Sequence, residues 1–215
     1  CHLVRDADGA TPGLEVEAIR VSKDIAILGV GMHPWGKWGR SFIDYGVTAA
    51  RAALKDAGVD WRAVQFVSGA ATIRNGYPGQ VAGATFAQAL GWQGAQVNTS
   101  YAACASGSQA LAAARSKILS GECELALVIG SDTTPKGFLA PAKGERPDDP
   151  DWVRFRLGIT NPTYFALYAR RRMALYGDSI DDFALVKIKN AEHGFENPNA
   201  RYRKRFTAAD IAASP

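Results

Sequence analysis

The sequence predicts a layered α/β fold, because short apolar strands alternate with longer helices along most of its 215 residues. Apolar runs closed by glycine indicate the strands, and runs rich in alanine and leucine indicate the helices. The order strand, helix, strand, helix, strand, helix, strand is typical of a sheet covered by helices. At this length the chain can bury a substantial core, as one large domain or two small ones.

The first two thirds of the chain carry this alternation. The predicted strands are four short apolar runs: Ile25–Val30, Val64–Ala70, Gln96–Asn98 and Leu125–Gly130, the last of them central in the sheet. The predicted helices between them are Tyr45–Ala57, opening near Phe42, then Pro78–Leu90 and Ser108–Ser120. Gly58 directly follows the first helix, and glycine at that place is typical of a helix C-terminus.

The last third begins with a polar segment, Lys136–Trp152, which contains three prolines and is predicted to be a long loop. The elements expected after it are a helix over Thr163–Tyr176, a helix over Ile180–Glu192, a basic loop over Gly194–Phe206 and a short helix from Asp210 to Ser214. Phe165, Ala169 and Met173 are expected to share the apolar face of the first of these helices. Asp178 or Ser179 is expected to cap the second.

The composition is that of an ordinary globular protein, with 47% hydrophobic and 21% charged residues. No apolar run reaches the ~18 residues of a membrane span, and no secretory signal pattern opens the chain. The three cysteines, Cys1, Cys104 and Cys123, have no metal-ligand spacing, so we expect no metal in this chain. An odd cysteine count without a signal favours a reducing compartment, and we expect a cytoplasmic protein.

The net charge of +4 arises largely from two clusters, Arg170–Arg172 and Arg201–Arg205. Clusters of charged residues commonly lie on the protein surface in contact with water. No recognised nucleic-acid-binding module accompanies them, so we do not expect nucleic acid as a partner. An anionic phosphate group of a small molecule fits the clusters better.

Cys104 is the candidate nucleophile. A short polar approach, Val97–Tyr101, leads to the cysteine, small residues surround it, and a long Ala/Leu helix follows. A thiol at the first turn of a helix lies near free backbone N–H groups and the positive end of the helix dipole, which favour a thiolate. Such a cysteine can carry an acyl group. Free cysteines are also among the most buried residues, and simple packing is the alternative.

The segments around this cysteine resemble the thiolase superfamily. Asn98, Cys104–Gly107, the alanine-rich helix and Glu124–Asp132 resemble its nucleophile segment and the strand after it. Three further segments resemble the sterol-carrier-type thiolases, also called lipid-transfer proteins: Ile25–Pro34, Gly158–Ala169 and Asn197–Ala200. The resemblance covers about residues 24–215.

This resemblance implies a thiolase-like layered αβα half with a mixed sheet and a loop region. Residues 23–135 would form the N-terminal core and residues 136–215 the loop region with helices. Residues 1–22 would be an extension, a tag or the remnant of an upstream domain. The family's second, similar half is not in this sequence, and we expect its catalytic histidine and second cysteine there. Neither His33 nor His193 matches that histidine.

Three functions remain open on the sequence. In the first, Cys104 takes an acyl group from a coenzyme A thioester during C–C bond cleavage or formation, in lipid or steroid side-chain catabolism. In the second, retro-aldol cleavage of a β-hydroxyacyl-CoA requires no acyl-cysteine and uses a zinc-ribbon/OB-fold partner protein. Tyr101, Tyr164 and Tyr168 could then supply hydroxyl groups. The third is acyl-CoA or lipid binding without catalysis, which the intact Cys-Ala-Ser-Gly motif disfavours.

The resemblance also implies binding partners. Coenzyme A phosphates would contact the basic loop, through Arg201, Arg203 and Arg205. The strand at Gln96–Asn98 would pair with its copy across a two-fold axis, which gives a homodimer.

Overall fold

The computed structural model describes residues 25–71, 75–134, 148, 153–154 and 156–214. The expectations for residues 1–22 and for nearly all of the loop at residues 136–152 therefore lie outside the described residues.

Three parallel strands form the centre of the molecule. They are β1 (Phe66–Ala70), β2 (Gln96–Ser100) and β3 (Ala126–Gly130), in the order β2-β1-β3. Ala70 lies opposite Ser100 on one side and Gly130 on the other, so the three strands end at the same level.

Helices cover both faces of this sheet. Seven α-helices are described: α1 (Phe42–Ala57), α2 (Gly76–Gln80), α3 (Ala82–Leu90), α4 (Ser106–Leu119), α5 (Asn161–Tyr176), α6 (Ile180–Glu196) and α7 (Ala208–Ala212). Helices α1 and α3 pack on one face and α4 packs on the other. The layered α/β arrangement expected from the sequence is thus present.

The expected mixed sheet is wrong for the described residues, since all their strand pairs are parallel. The physical reason is that helices connect successive strands, and such crossovers return the chain in the same direction. Strand β3 was expected in the centre of the sheet, but it lies at the edge of the sheet that the described residues form, where β1 pairs with both β2 and β3.

The segment Ile25–Val30, expected as a strand, forms no ladder with the sheet. It runs along α1 instead, where the Val30 N–H donates to Asp56 Oδ2 at 2.9 Å. The backbone approaches α1 so closely that a Cβ on Gly31 would lie 2.1 Å from the carbonyl oxygen of Ala49. A cleft of about 220 Å³ separates this segment from β3.

Local signals explain the helix ends. Ser41 and Asp44 form a reciprocal capping box at the start of α1, and Gly58 ends that helix with φ 66°, as expected. Ser179 is the residue that caps α6. Phe165, Ala169 and Met173 lie four residues apart on α5 and so share one face of it, as expected. Phe165 on that face is 71% exposed, because no sheet or helix of the described chain covers it extensively.

The main core lies between the sheet and helices α1 and α3. Phe86 is fully buried there, and its ring packs edge-on against Phe42 with centroids 5.8 Å apart. Helix α3 begins against β2, where a Cβ on Gly83 would lie 2.0 Å from the Asn98 carbonyl oxygen. None of the described helices combines the length and apolarity needed to cross a bilayer.

We predict that Gly83→Ala lowers the free energy of unfolding by about 1–3 kcal/mol, because the added methyl group forces α3 away from β2. Gly107→Ala is the matched control, since a Cβ there meets nothing within 4 Å and alanine is the better helix former by ~1 kcal/mol. Urea denaturation of both variants measures the difference. Equal stability of the two variants would contradict the close packing of α3 on β2.

Candidate functional site

The carboxyl ends of the three strands define the candidate site. Because the strands are parallel and end at one level, the loops that follow them leave from the same edge of the sheet. This edge is where open α/β sheets usually bind ligands. Cys104 follows β2 by four residues, Asn75 follows β1 by five, and Asp132 follows β3 by two.

A tight turn carries Cys104 between β2 and α4. Ala103 adopts a positive φ of 46°, and a single 3₁₀ turn, Ala103–Ala105, leads directly into α4. Alanine is uncommon in this left-handed region. The Cys104 side chain is exposed, as a thiol that must meet a substrate requires.

The start of α4 provides a favourable electrostatic setting. The helix has 14 residues, and no side chain caps its N-terminus. The Ser106 N–H donates to the Ala103 carbonyl oxygen, so the N–H groups that can stabilise negative charge near the turn are those that follow it, which no side chain caps. The surroundings are also open, since a Cβ on Gly107 would meet no atom within 4 Å.

Cys123 lies in a contrasting environment. It is 7% exposed and packs with Phe66 and Ala114 at the other end of α4. Burial raises the pKa of the Cys123 thiol above its usual value, with Lys117 opposing this shift and Glu122 adding to it. The thiol is therefore mostly protonated at neutral pH, as is usual for a cysteine that packs in a core.

The three arginines expected to bind coenzyme A lie around the C-terminal end of α6. Arg203 Nε donates to the Phe195 carbonyl oxygen at 3.0 Å, and an Arg205 terminal nitrogen lies 2.8 Å from Glu196 Oε1. The Arg205 guanidinium also stacks on the Phe195 ring at 4.2 Å, and Arg201 lies over the neighbouring Tyr202 ring. Arg203 and Arg205 are thus held beside one another, although each already has a protein partner.

The structure does not bring this basic loop and the Cys104 turn into direct contact. Among the described residues, no hydrogen bond, ion pair or ring contact joins them. The loop is tied instead to the segment before α1, because the Trp35 N–H donates to the Asn199 carbonyl oxygen at 3.0 Å.

Neither of the described histidines, His33 and His193, makes a hydrogen bond to the Cys104 turn within the described residues. His33 packs against Trp38 and Tyr45, and its Nδ1 lies 2.9 Å from the Pro34 carbonyl oxygen. His193 is exposed in the last turn of α6. Within the described residues, no group of three or more His, Cys, Asp or Glu side chains is arranged to hold a metal ion.

The three tyrosines considered as hydroxyl donors lie in different settings. Tyr101 is 60% exposed directly after β2. The Tyr164 hydroxyl accepts a hydrogen bond from Arg154 at 2.7 Å, and Tyr168 is exposed beside Phe165. Tyr101 is therefore the tyrosine that shares the edge of the sheet with Cys104.

Two features of this edge were not expected from the sequence. Asn75 donates to Asp132 Oδ1 at 2.7 Å and accepts from the Thr133 hydroxyl at 2.8 Å, which ties together the loops after β1 and β3. The Ser106 hydroxyl bonds to the backbone on both sides of Ala103. The contact between these two loops could have been predicted, because Asn75, Asp132 and Thr133 are polar residues that follow predicted strands closely in the sequence.

Comparison with known proteins finds several proteins that are similar to this chain. Residues 45–145, which include Cys104 and α4, match the N-terminal domain of β-ketoacyl synthases. Sterol carrier protein 2 of Gallus gallus is 27% identical over 205 residues, which cover 90% of this chain and 37% of that protein. An acetyl-CoA acetyltransferase of Methanothermobacter thermautotrophicus is 27% identical over 208 residues, which cover 89% of this chain and 50% of that protein.

A solved structure described as the Ltp2-ChsH2(DUF35) aldolase has the same fold, with a TM-score of 0.67 and 23% identity. The likeness covers 88% of this chain and 48% of that one. This chain thus spans between about a third and a half of the length of these relatives. Its sequence and fold are therefore similar to those of the N-terminal domain of thiolase-superfamily proteins.

Proposed function

We propose that the protein catalyses acyl transfer from a coenzyme A thioester, with the acyl group carried on Cys104, in C–C bond cleavage or formation. The observation that carries this proposal is an exposed thiol on a tight turn between a parallel strand and an uncapped helix N-terminus. The relatives named acetyl-CoA acetyltransferase and sterol carrier protein 2 support it. Lipid or steroid side-chain catabolism is the context we propose.

In the loading step, the Cys104 sulfur attacks the thioester carbonyl carbon. The bond to the coenzyme A sulfur breaks, the new bond to Cys104 forms, and the thiol proton passes to the departing coenzyme A thiolate. Backbone N–H groups at the start of α4 would stabilise the negative oxygen of the intermediate. The histidine and second cysteine that move protons would come from the family's second half.

Coenzyme A would be held by its phosphates at the basic loop, through Arg201, Arg203 and Arg205. Arginine pairs with phosphate at two points. Arg203 uses only its Nε toward Phe195 in the described hydrogen bonds, which leaves its terminal nitrogens for a phosphate. Arg205 would exchange or share its exposed contact with Glu196, which costs little because exposed ion pairs are weak.

We also propose that the protein forms a homodimer in which strand β2 pairs with its copy in a second subunit. Strand β2 lies at an edge of the described sheet, with β1 on one side, so its other edge is open to a second copy.

Retro-aldol cleavage of a β-hydroxyacyl-CoA is the second candidate, and the fold likeness to an aldolase favours it. That neighbour's description includes a DUF35 protein, so a zinc-ribbon/OB-fold partner belongs to this candidate. Retro-aldol cleavage breaks a bond within the substrate and needs no acyl-cysteine. The two candidates therefore differ in what they require of Cys104.

We predict that incubation of the protein with acetyl-CoA adds the mass of one acetyl group, and that peptide mapping locates it on Cys104. Cys123→Ser should load as the original protein does, whereas Cys104→Ala should not load at position 104 or 123, because of the two described cysteines Cys104 is exposed and Cys123 is buried. Acetylation of neither cysteine would contradict the acyl-transfer proposal. Retained cleavage of a β-hydroxyacyl-CoA by Cys104→Ala, with the partner protein present, would favour the aldolase.

We also predict that the double variant Arg203→Ala/Arg205→Ala raises the acetyl-CoA concentration for half-maximal loading by about tenfold, equivalent to about 1.4 kcal/mol. The maximal loading rate should stay unchanged, because remote phosphate contacts bind ground state and transition state alike. Arg170→Ala/Arg171→Ala is the control, since both side chains are exposed in the other basic cluster, on α5. Equal effects of the two pairs would contradict a specific phosphate site at the loop.

A further inference from the structure

The Ser106 hydroxyl closes the turn that carries Cys104. It accepts a hydrogen bond from the Ala102 N–H at 2.9 Å and donates one to the Ala103 carbonyl oxygen at 2.7 Å. The Ser106 backbone N–H donates to the same carbonyl oxygen. One side chain therefore holds both ends of the Ala102–Ala103 stretch, which directly precedes Cys104.

The backbone between these two bonds is in an unfavourable conformation. Ala103 has φ 46°, in the left-handed region where a Cβ crowds the following carbonyl oxygen. Such a conformation persists only where surrounding interactions hold it. The bond to the Ala103 carbonyl oxygen acts on the peptide group directly after Ala103, and the bond from the Ala102 N–H acts on the peptide group before Ala102, so together they restrain the Ala102–Ala103 backbone and oppose its relaxation.

Ser106 itself is not placed to touch a substrate. It is 6% exposed, whereas Cys104, two residues earlier, is exposed. Both hydrogen-bonding capacities of its hydroxyl are satisfied by the backbone. Any effect on chemistry must therefore act through the turn.

We propose that Ser106 is a positioning residue, whose hydroxyl holds Ala103 in the left-handed conformation and thereby keeps the Cys104 thiol at the N-terminus of α4. The catalytic consequence rests on the acyl-transfer function proposed above, but the geometry of the turn does not. Thiol reactivity therefore tests the positioning role separately from acyl transfer.

A matched control exists on the same helix. The Ser68 hydroxyl, fully buried on β1, donates to the Ala110 carbonyl oxygen of α4 at 2.8 Å. Ser68→Ala thus also removes a buried serine hydrogen bond to the α4 backbone, but away from the Cys104 turn. Any loss of stability should affect Ser68→Ala and Ser106→Ala alike, whereas an effect on the Cys104 thiol should appear in Ser106→Ala alone.

The experiment measures iodoacetamide labelling of Cys104 and Cys123 by peptide mapping near neutral pH. In the original protein, Cys104 should label faster than Cys123, which is buried. Ser106→Ala should slow Cys104 labelling and acetyl loading by about tenfold, a loss expected from small displacements of reacting groups. Cys123 should stay protected, which shows that the protein remains folded.

Two further variants serve as controls. Ser106→Thr restores the hydroxyl and should restore both rates, and Ser68→Ala should label as the original protein does.

A second background tests whether the hydroxyl acts through Ala103. Glycine adopts positive φ without the penalty of a Cβ, so Ala103→Gly removes the strain that could keep Ser106→Ala from folding. In the Ala103→Gly background, Ser106→Ala should slow Cys104 labelling by less than about threefold, because the two sites are coupled. Unchanged labelling of Ser106→Ala, or an equal slowing in Ser68→Ala, would overturn the positioning role. If iodoacetamide labelling of the variants changes as predicted but no variant, nor the original protein, is loaded with acetyl, the positioning role stands and the proposed acyl-transfer function is overturned.

Discussion

The pairing of β1 with both other strands is the interaction on which the rest of the structure depends. Because both pairs are parallel and Ala70 is level with Ser100 and Gly130, the three strands deliver their following loops to one edge. Alternation along each strand sends Val67 toward α1 and α3 and Phe66 toward α4, so the same pairing also divides the core into two layers. A shift of one residue in either pair would exchange the two faces.

The two described cysteines show how this framework separates reactivity from packing. Helix α4 runs away from the carboxyl edge, so Cys104 precedes its N-terminus and Cys123 follows its C-terminus. The first thiol is exposed beside a helix N-terminus that no side chain caps, and the second is buried with its pKa raised by burial. The same helix therefore provides an anion-stabilising end for one sulfur and an apolar side for the other.

The sequence predicted the helix ends and the turn before the alanine-rich helix, because these features depend on neighbouring residues. The helix that ends at Gly58, the helix capped at Ser179 and the turn before the alanine-rich helix all depend on residues within a few positions of one another. The sheet was predicted less well, because strand pairing is decided by distant contacts. The run Ile25–Val30 is as apolar as β3, yet it lies along α1, where two glycines permit a close approach. Ser106 was missed because a serine in the first turn of a helix is commonplace, and its role depends on the positive φ of Ala103.

Acyl transfer through Cys104 requires that the acyl group be held with its carbonyl oxygen against the start of α4. The most direct measurement is a crystal structure of the protein after reaction with acetyl-CoA. We expect electron density continuous from the Cys104 sulfur to the acetyl group, and a carbonyl oxygen within hydrogen-bonding distance of backbone N–H groups at the N-terminus of α4. An unmodified Cys104 with the acetyl group on another residue, or an acetyl oxygen that points away from α4, would contradict acyl transfer at this site.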